Sequence, residues 1–372
     1  MKKRFVFVSR MESSPWGGSE ELWSRTALHL AAQGNPVHVS VMAWPEEPPQ
    51  VQTLRAAGCD VRPRHAPPDG AYWRIHRKFF PVETWGWLKE IKPDAVVLSH
   101  GINFVDTCLA SACDKAGIPH IMLFQAATEW YWPPQHMVRQ SAPWIEKAAA
   151  VLCVSEANLE VTRKQYGTKL LNGGVVRNTF NVSFDANPPW PSGDGPFSLA
   201  CVARLEPAHK GQDVLFEVLA MEKWRQRPLK VVLYGNGDNR ESLEFLRARH
   251  ALSSVTFGGF MQNIETLWAN HHGLVLPSRV EGLPVALVEA MLCNRLGIVT
   301  NIAGNAEILQ DNLSGFVAES PTIRGIDEAL ERAWDRRNEW QAIGQTAGKH
   351  VRAMVPRDPA AALAETLLKL IQ

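Results

Sequence analysis

Excess charge is nearly absent from this chain: 39 Lys and Arg stand against 38 Asp and Glu, a net charge of +1 over 372 residues. The basic surplus typical of a nucleic-acid-binding protein is therefore missing, and no nucleic-acid partner is expected. No stretch approaches the ~20 consecutive apolar residues of a membrane helix. The apolar run Phe5–Val8 is also too short for a secretion signal, so we expect a cytoplasmic protein.

Cysteine pairing is absent as well. The six cysteines are scattered and none forms a C-x-x-C pair. This usage is typical of reduced, mostly buried thiols in the cytosol rather than of a disulfide framework. We expect no cofactor.

The length and the apolar pattern predict two α/β domains. A single core stops growing near ~250–300 residues, which this chain exceeds. Short, nearly continuous apolar runs alternate with amphipathic helical stretches, as in a parallel, doubly wound sheet. Strands are predicted at Phe5–Val8, Val37–Met42, Val61, Ala95–Ser99, His120–Phe124 and Val151–Val154, and helices at Ser19–Gln33 and Asn103–Ala116.

The pattern breaks after Arg177 and then restarts. The Pro- and Gly-rich segment Asn187–Pro196 is predicted to be an interdomain linker. Further strands are predicted at Phe197–Ala203, Leu229–Tyr234, Val255–Phe257, Gly273–Pro277 and Gly297–Asn301, and a last helix at Pro359–Gln372.

Two carboxylates, Glu281 and Glu289, stand with seven residues between them after the apolar strand Gly273–Pro277. Glu281 falls in the loop at the carboxyl end of that strand, and Glu289 about one turn into the next helix. Open α/β sheets bind ligands at these strand ends, and helix N-termini attract phosphate. The run therefore predicts a ligand rich in hydroxyls and phosphate, such as a sugar nucleotide.

The run Arg279–Met291 resembles the signature of retaining glycosyltransferases of family 4, also called glycosyl transferases group 1. Five further segments resemble family segments in the same order: Pro15–Glu20, Cys201–Gly211, Val231–Asp238, Val255–Phe260 and Gly304–Phe316. The resemblance implies the GT-B fold, two Rossmann-like doubly wound parallel-sheet domains facing across a cleft. Residues 1–180 would bind the acceptor, 181–355 the nucleotide-sugar donor, and the helix 356–372 would cross back to the first domain.

The resemblance also implies roles for individual residues in donor binding. Glu289 would accept from the ribose hydroxyls, and Glu281 from the transferred sugar near the reacting face. Arg204 and Lys210 would neutralise the charge of the leaving diphosphate. Metal-dependent transferases use a cation held by an Asp-x-Asp pair for this, and no such pair stands out at a strand end here. The alternative is that Arg204 and Lys210 are two surface cations near a loop. Donor-binding expectations therefore comprise Gly17, Gly18, Arg204, Lys210, Gly235, Phe257, Gly259, Gly282, Leu283, Pro284, Val285 and Glu289.

One position departs from the family pattern. Gln125 occupies the place of a His that approaches the donor sugar, after the strand His120–Phe124. A Gln bonds a hydroxyl but transfers no proton near neutral pH. His100, which ends the preceding strand, is a second candidate, with a backbone-bonded histidine as the alternative. Glu281, Gln125 and His100 are the expected catalytic residues.

Two aromatic stretches, Tyr72–Phe80 with Trp85 and Trp87, and Thr128–Pro134, offer rings for an acceptor glycan or a membrane surface. Core packing is the alternative for both. Within the second stretch, Glu129 is a candidate for orienting an acceptor hydroxyl.

The sequence thus predicts a bacterial, metal-independent retaining glycosyltransferase. It would move a sugar from a nucleotide-diphosphate sugar, a UDP-sugar rather than a GDP-sugar, to a glycan or lipid-linked acceptor in surface polysaccharide or lipopolysaccharide synthesis. A peripheral contact with the inner face of the membrane is expected from the aromatic stretches. Two alternatives stay open: a nucleotide-sugar epimerase of the same fold, and a sugar-nucleotide-binding module without transfer activity.

Overall fold

A computed structural model describes residues 2–11, 15–65, 86–104, 107–192 and 195–372. The chain divides into two compact units. Unit 1 comprises Met1–Thr179 together with Asp358–Gln372, and unit 2 comprises Phe180–Arg357.

Unit 1 contains a seven-stranded parallel sheet with the order β3-β2-β1-β4-β5-β6-β7. Its central strands are apolar on both faces and fully buried, as a sheet covered by helices on both sides requires. The strands are β1 (Phe5–Ser9), β2 (Val37–Met42), β3 (Asp60–Arg64), β4 (Ala95–His100), β5 (His120–Phe124), β6 (Ala150–Cys153) and β7 (Gly173–Val175).

The helices of unit 1 come from both ends of the chain. The terminal helix packs against the first one, where the Thr26 hydroxyl donates to the Ala360 carbonyl at 3.3 Å. Leu363 and Leu367 join the same core cluster as β1 and β2. The helices are Gly18–Ala32, Pro49–Ala56, Cys108–Lys115, Gln135–Glu146, Glu156–Tyr166 and Pro359–Leu370, and residues 86–91 are also helical.

Unit 2 contains a six-stranded parallel sheet with the order β10-β9-β8-β11-β12-β13. The strands are β8 (Phe197–Val202), β9 (Leu229–Tyr234), β10 (Val255–Gly259), β11 (Gly273–Leu276), β12 (Leu296–Thr300) and β13 (Gly315–Ala318). The helices are Pro207–Lys210, Gln212–Leu219, Glu222–Arg225, Arg240–Arg249, Ile264–Ala269, Val285–Leu292, Asn305–Ile308, Ile323–Asp335 and Trp340–Met354, with a 3₁₀ turn at Arg337–Glu339.

Both sheets reverse their strand order once. In unit 1 the reversal lies between β1 and β4, and in unit 2 between β8 and β11. The connections from these neighbouring strands leave in opposite directions and open a crevice at the carboxyl edge, where doubly wound sheets bind their ligands. The loops after these four strands are therefore the first place to look for a site.

The doubly wound fold and the predicted strands are confirmed, with strand ends displaced by at most three residues. The predicted linker was wrong, because Asn187–Pro196 lies within unit 2. The buried Arg295 guanidinium donates to the carbonyls of Pro188 and Pro189, at 3.4 and 2.6 Å, which fixes this segment to unit 2. A proline-rich segment has few backbone donors, but its carbonyls still accept hydrogen bonds.

No helix among the described residues is both long and apolar enough to cross a membrane.

Candidate functional site

The reversal point of unit 2 brings together a buried ion pair. Lys210 follows β8 and Glu281 follows β11, and the Lys210 Nζ donates to Glu281 Oε1 at 2.7 Å. Their side chains are 17% and 7% exposed. Both residues are predicted site residues, and the contact joins positions 71 residues apart in sequence. An ammonium has three donors, so the bond to Glu281 leaves two for a ligand.

The loop that carries Glu281 is braced against the helix Pro207–Lys210. The Arg279 guanidinium makes two parallel bonds to the Asp213 carboxylate, at 2.7 and 2.8 Å. The backbone amides of Arg279 and Val280 both donate to the His209 carbonyl, at 2.8 and 3.1 Å. These contacts fix Lys210 and Glu281 relative to one another, and a bidentate Arg–carboxylate pair adds geometric specificity as well as energy.

Glu289 lies in the helix after Glu281 and is 3% exposed. Its Oε1 accepts from the Asn181 backbone amide at 2.8 Å and from Asn181 Nδ2 at 3.0 Å. The sequence analysis did not find Asn181 as a partner. In the sequence Asn181 is only a polar residue at the start of the second domain. Its role as a hydrogen-bond donor to Glu289 can be recognised only once the fold brings the two residues together.

The helix Val285–Leu292 begins directly after the Gly282–Pro284 turn. Pro284 is its N-cap residue, and the Pro284 side chain makes no capping hydrogen bond to the first turn. Proline suits the start of a helix because the missing N–H would have had no helical partner. The first-turn amides of Val285 and its neighbour therefore offer donors, and the helix dipole favours an anion at this end.

Glycines allow close backbone approach around the pair. Gly211 has φ +67°, and a Cβ there would lie 2.0 Å from the Pro277 carbonyl oxygen at the end of β11. Gly235, with φ +134°, would place a Cβ 2.1 Å from the Ala203 carbonyl oxygen. Only glycine combines these conformations with such contacts. The Gly235 amide also donates to the carbonyl of Gly259, another predicted site residue, at 2.9 Å.

Two predicted donor-binding residues, Arg204 and Phe257, contact groups other than Lys210 and Glu281. Arg204 is about half-exposed and pairs with Glu206 at 3.1 Å. The half-buried Phe257 ring lies under the guanidinium groups of Arg240 and Arg247, at 5.4 and 5.8 Å from the ring centre. A flat cation over one ring face fills the place that a stacked base would use.

His100 and Gln125 lie at the carboxyl ends of the neighbouring strands β4 and β5, next to the reversal point of unit 1. The Gln125 backbone amide donates to the His100 carbonyl at 3.0 Å, and both side chains are 5% exposed. His100 Nε2 and both amide atoms of Gln125 have no hydrogen-bond partner among the described residues. Burial, with a smaller contribution from the nearby Arg10, lowers the pKa of His100 to about 3, so this imidazole is neutral at ordinary pH.

Gly17 and Gly18 lie where the helix after β1 begins. Gly17 is the N-cap residue, and its φ of −158° is extended backbone that any residue adopts. A Cβ at Gly17 would meet only ordinary contacts. If glycine is needed here, the reason lies in a group that approaches the loop, not in the backbone conformation.

Glu20, in the first turn of the same helix, was missed by the sequence analysis. It is 4% exposed and accepts from Trp23 Nε1 at 3.0 Å. Burial raises its pKa to about 7, although hydrogen bonds from Ser9 and Trp23 and the charge of Arg64 act in the opposite direction. The raised pKa marks a carboxyl whose charged form is poorly solvated in the fold.

Glu20 is therefore expected to make unit 1 less stable as pH rises. A pKa raised from 4.5 to about 7 gives stability that is present below about pH 4.5 and is lost as pH passes 7. Between about pH 4.5 and pH 8.5, the wild type should lose about 3 kcal/mol more unfolding free energy than Glu20→Gln. Chemical denaturation of both proteins at each pH measures the difference. Equal pH dependence of the two proteins would contradict the assignment.

Two family models match the chain. The model described as "Glycosyltransferase Family 4" matches residues 16–183, and the model described as "Glycosyl transferases group 1" matches residues 185–350. The chain belongs to this glycosyltransferase family. The match over residues 185–350 contains the Lys210–Glu281 pair and Glu289. The match over residues 16–183 contains Gly17, Gly18, His100 and Gln125.

Curated glycosyltransferases of this family match parts of the chain. The alpha-D-kanosaminyltransferase of Streptomyces kanamyceticus is 30% identical over 131 residues, 34% of this chain and 34% of its own length. An undecaprenol-diphosphate-glycan alpha-1,4-N-acetyl-D-galactosaminyltransferase of Campylobacter jejuni is 27% identical over 263 residues, 68% of each chain. The matches therefore span from about a third to two thirds of these two relatives.

Solved structures share the GT-B fold over nearly the whole chain. HepE of Anabaena, in complex with UDP, has a TM-score of 0.78 at 18% identity, covering 99% of this chain and 100% of that one. Sucrose-phosphate synthase of Thermosynechococcus elongatus has a TM-score of 0.76 at 15% identity, covering 99% and 98%. At such identities the likeness establishes the fold alone.

The predictions for the two aromatic stretches have different outcomes. Tyr72–Phe80 and Trp85 lie outside the described residues. Trp87 is buried, with the Arg62 guanidinium 5.3 Å from its ring centre, so it packs in the core. In the second stretch, by contrast, Trp130–Trp132 are exposed, and Glu129 pairs with Lys164 at 3.5 Å.

Proposed function

We propose that this protein transfers a sugar from a nucleotide-diphosphate sugar to a glycan or lipid-linked acceptor, with retention of anomeric configuration and without a metal ion. The observation that carries the proposal is the buried Lys210–Glu281 pair at the strand-order reversal of unit 2. A braced cation beside an uncapped helix start suits a diphosphate, and a carboxylate beside that cation suits sugar hydroxyls.

The leaving diphosphate gains charge as the glycosidic bond breaks. Lys210 has two ammonium donors beyond its bond to Glu281, and the half-exposed Arg204 adds a second cation from the same β8 loop. Fixed cations and helix-end amides stabilise developing charge without reorganisation at the moment of reaction. We assign neutralisation of this charge to Lys210 and Arg204.

Glu289 is proposed to hold the ribose. Its Oε1 is fixed by two donors from Asn181, which orients the carboxylate without removing its charge. A carboxylate has about four acceptor positions, so hydroxyl donors from a ribose can be added to such a group.

His100 and Gln125 are proposed to bind hydroxyls and not to transfer protons. A histidine with a pKa of about 3 is a poor base near neutral pH. Its Nε2 and the Gln125 amide nevertheless require hydrogen bonds that the described protein groups do not supply. Sugar hydroxyls, which both donate and accept, would satisfy them.

The relatives guide the choice of substrates. HepE was solved with UDP and with UDP-glucose, which supports a UDP-sugar donor. The Campylobacter enzyme is named for an undecaprenol-diphosphate-linked glycan acceptor, and WaaB for lipopolysaccharide outer core synthesis. A cytoplasmic role in surface polysaccharide or lipopolysaccharide synthesis, with peripheral membrane contact during acceptor binding, follows from this proposal.

A thermal-shift panel of uridine, guanosine, adenosine and thymidine diphosphate sugars, run with and without EDTA, tests the donor proposal. Stabilisation by UDP-sugars alone is expected, because a ligand that binds only the folded state raises its melting temperature. A GDP-sugar shift would change the donor, and a shift that EDTA abolishes would contradict metal independence. No shift with any donor would contradict the proposed function itself.

Removing the Glu289 carboxylate is expected to weaken donor binding. Glu289→Ala deletes an acceptor of charged hydrogen bonds to the ribose, so the affinity for the UDP-sugar should fall by about 1–3 kcal/mol. Calorimetric titration measures the change. Glu265→Ala is the matched control, since Glu265 also accepts from a backbone amide in this region, that of Ser183 at 2.7 Å. Unchanged binding by a folded Glu289→Ala protein would rule out the ribose role.

A further inference from the structure

The loop after β5, Thr128–Pro134, here called the aromatic loop, exposes three large aromatic side chains in a row. Trp130, Tyr131 and Trp132 are 71%, 53% and 58% exposed. Contiguous apolar surface of this kind usually marks a binding surface on a soluble protein. Tryptophan and tyrosine are also the residues that most often dominate such surfaces.

Buried amides hold the backbone of the aromatic loop in place. Gln165 Nε2 donates to the Thr128 carbonyl at 2.8 Å and to the Tyr131 carbonyl at 3.2 Å. Asn158 Nδ2 donates to the Ala127 carbonyl at 3.1 Å, at the base of the loop. Gln165 and Asn158 are 3% and 0% exposed, so the loop backbone is held by side chains from the interior of unit 1. A rigid loop loses little conformational entropy when a ligand covers its rings.

Polar groups without partners lie close to the loop in the chain. Gln125 precedes it by three residues, and its buried amide has no partner among the described residues. The loops after β4 and β5 also touch, because the rings of Phe104 and Tyr131 have their centres 5.2 Å apart. His100, which ends β4, contributes another buried nitrogen without a described partner. Exposed rings thus adjoin strand ends that require hydrogen bonds.

A carbohydrate chain matches this combination. The C–H faces of a sugar ring are apolar and flat enough to cover an aromatic ring, while its hydroxyls lie around the edge and need hydrogen bonds. The charge at the loop also favours a neutral ligand, because Glu129 offsets Lys164 at 3.5 Å. An anionic membrane surface would instead be matched by a surplus of Lys and Arg.

We propose that the aromatic loop binds the glycan part of the acceptor, holding sugar residues beyond the one that receives the transferred sugar. That the bound glycan is the acceptor rests on the proposed transferase function. The binding of an oligosaccharide by these rings does not depend on that function.

Calorimetric titration with maltohexaose, cellohexaose and chitohexaose, and with the disaccharide of each, tests the proposal on the full chain. At least one hexasaccharide should bind roughly tenfold more tightly than its disaccharide, in line with the contribution of one stacked ring. Trp130→Ala and Trp132→Ala should each remove roughly this factor, and Trp132→Phe should retain most of it. Leu171→Ala, at a side chain that is 93% exposed in the same unit, should leave binding unchanged.

Several results would overturn the proposal. One is the failure of all three hexasaccharides to bind the wild type. Another is hexasaccharide binding that survives both alanine substitutions. A third is binding to phosphatidylglycerol vesicles that both substitutions abolish while hexasaccharide binding is absent, which would assign the loop to a membrane.

The UDP-glucose thermal shift separates this test from that of the proposed function. Donor stabilisation without hexasaccharide binding overturns the role of the loop and leaves the donor proposal intact. Hexasaccharide binding that depends on Trp130 and Trp132, without stabilisation by any donor, supports the glycan surface and contradicts the transferase.

Discussion

Replacing Lys210 by methionine is expected to lower the free energy of unfolding of unit 2 by about 4 kcal/mol, because it leaves the Glu281 carboxylate buried beside an apolar group. Glu281 is 7% exposed, and Lys210 is one of its partners, at 2.7 Å. Water therefore has little access with which to replace the lost cation. Chemical denaturation, fitted with two transitions if the units unfold separately, measures the change.

Two comparisons separate the loss of the pair from the loss of a side chain. The double variant Lys210→Met/Glu281→Leu removes both charges and should recover most of the lost stability, since a buried pair often stabilises no more than apolar residues of similar volume. Arg357→Met breaks an exposed pair with Asp185, whose side chains are 67% and 64% exposed, and should leave stability essentially unchanged. A Lys210→Met protein as stable as the wild type would show that water or other protein groups stabilise the Glu281 carboxylate without Lys210.

Gly211→Ala is expected to destabilise unit 2 by about 4 kcal/mol and to weaken donor binding as well, because strain and a backbone clash act together. The residue has φ +67°, and its Cβ would lie 2.0 Å from the Pro277 carbonyl oxygen. Relief of the clash must move either the end of β11 or the turn that carries Lys210. Denaturation curves and UDP-sugar titration of the same variant report the two effects.

Gly259→Ala is the matched control for strain alone. Its φ of +71° is nearly the same, but no described atom lies within 4 Å of the added Cβ. The left-handed conformation should therefore cost about 1 kcal/mol there. Equal losses for Gly211→Ala and Gly259→Ala would mean that the contact with Pro277 relaxes freely.

The sequence predicts the fold well where the pattern is local. The strands β1, β2, β5 and β9 are rich in apolar residues, and their bounds are nearly those predicted. β7 and β13 were missed because each is only three or four residues long and begins with glycine, which is depleted in strands. Their extended conformation is imposed by the neighbouring strands β6 and β12.

The site is predictable as a set of residues but not as a set of contacts. Glu281 and Glu289 could be placed from a strand, a turn and a helix start. That Lys210 pairs with Glu281, and Asn181 with Glu289, depends on strand order across 71 and 108 residues. Glu20 follows Gly17 and Gly18 as an ordinary first-turn acid, and only its burial in the folded unit raises its pKa.

The placement of the helix Pro359–Leu370 has a consequence for how this protein is made. Unit 1 takes Leu363, Ala364 and Leu367 into its core from a helix that is synthesised only after all of unit 2. The strands of unit 1 are therefore translated before unit 2, but its core is completed after it, and until then the helix Gly18–Ala32 lacks the partner that covers its apolar face. A stop codon between unit 2 and this helix would thus damage the unit whose strands precede it.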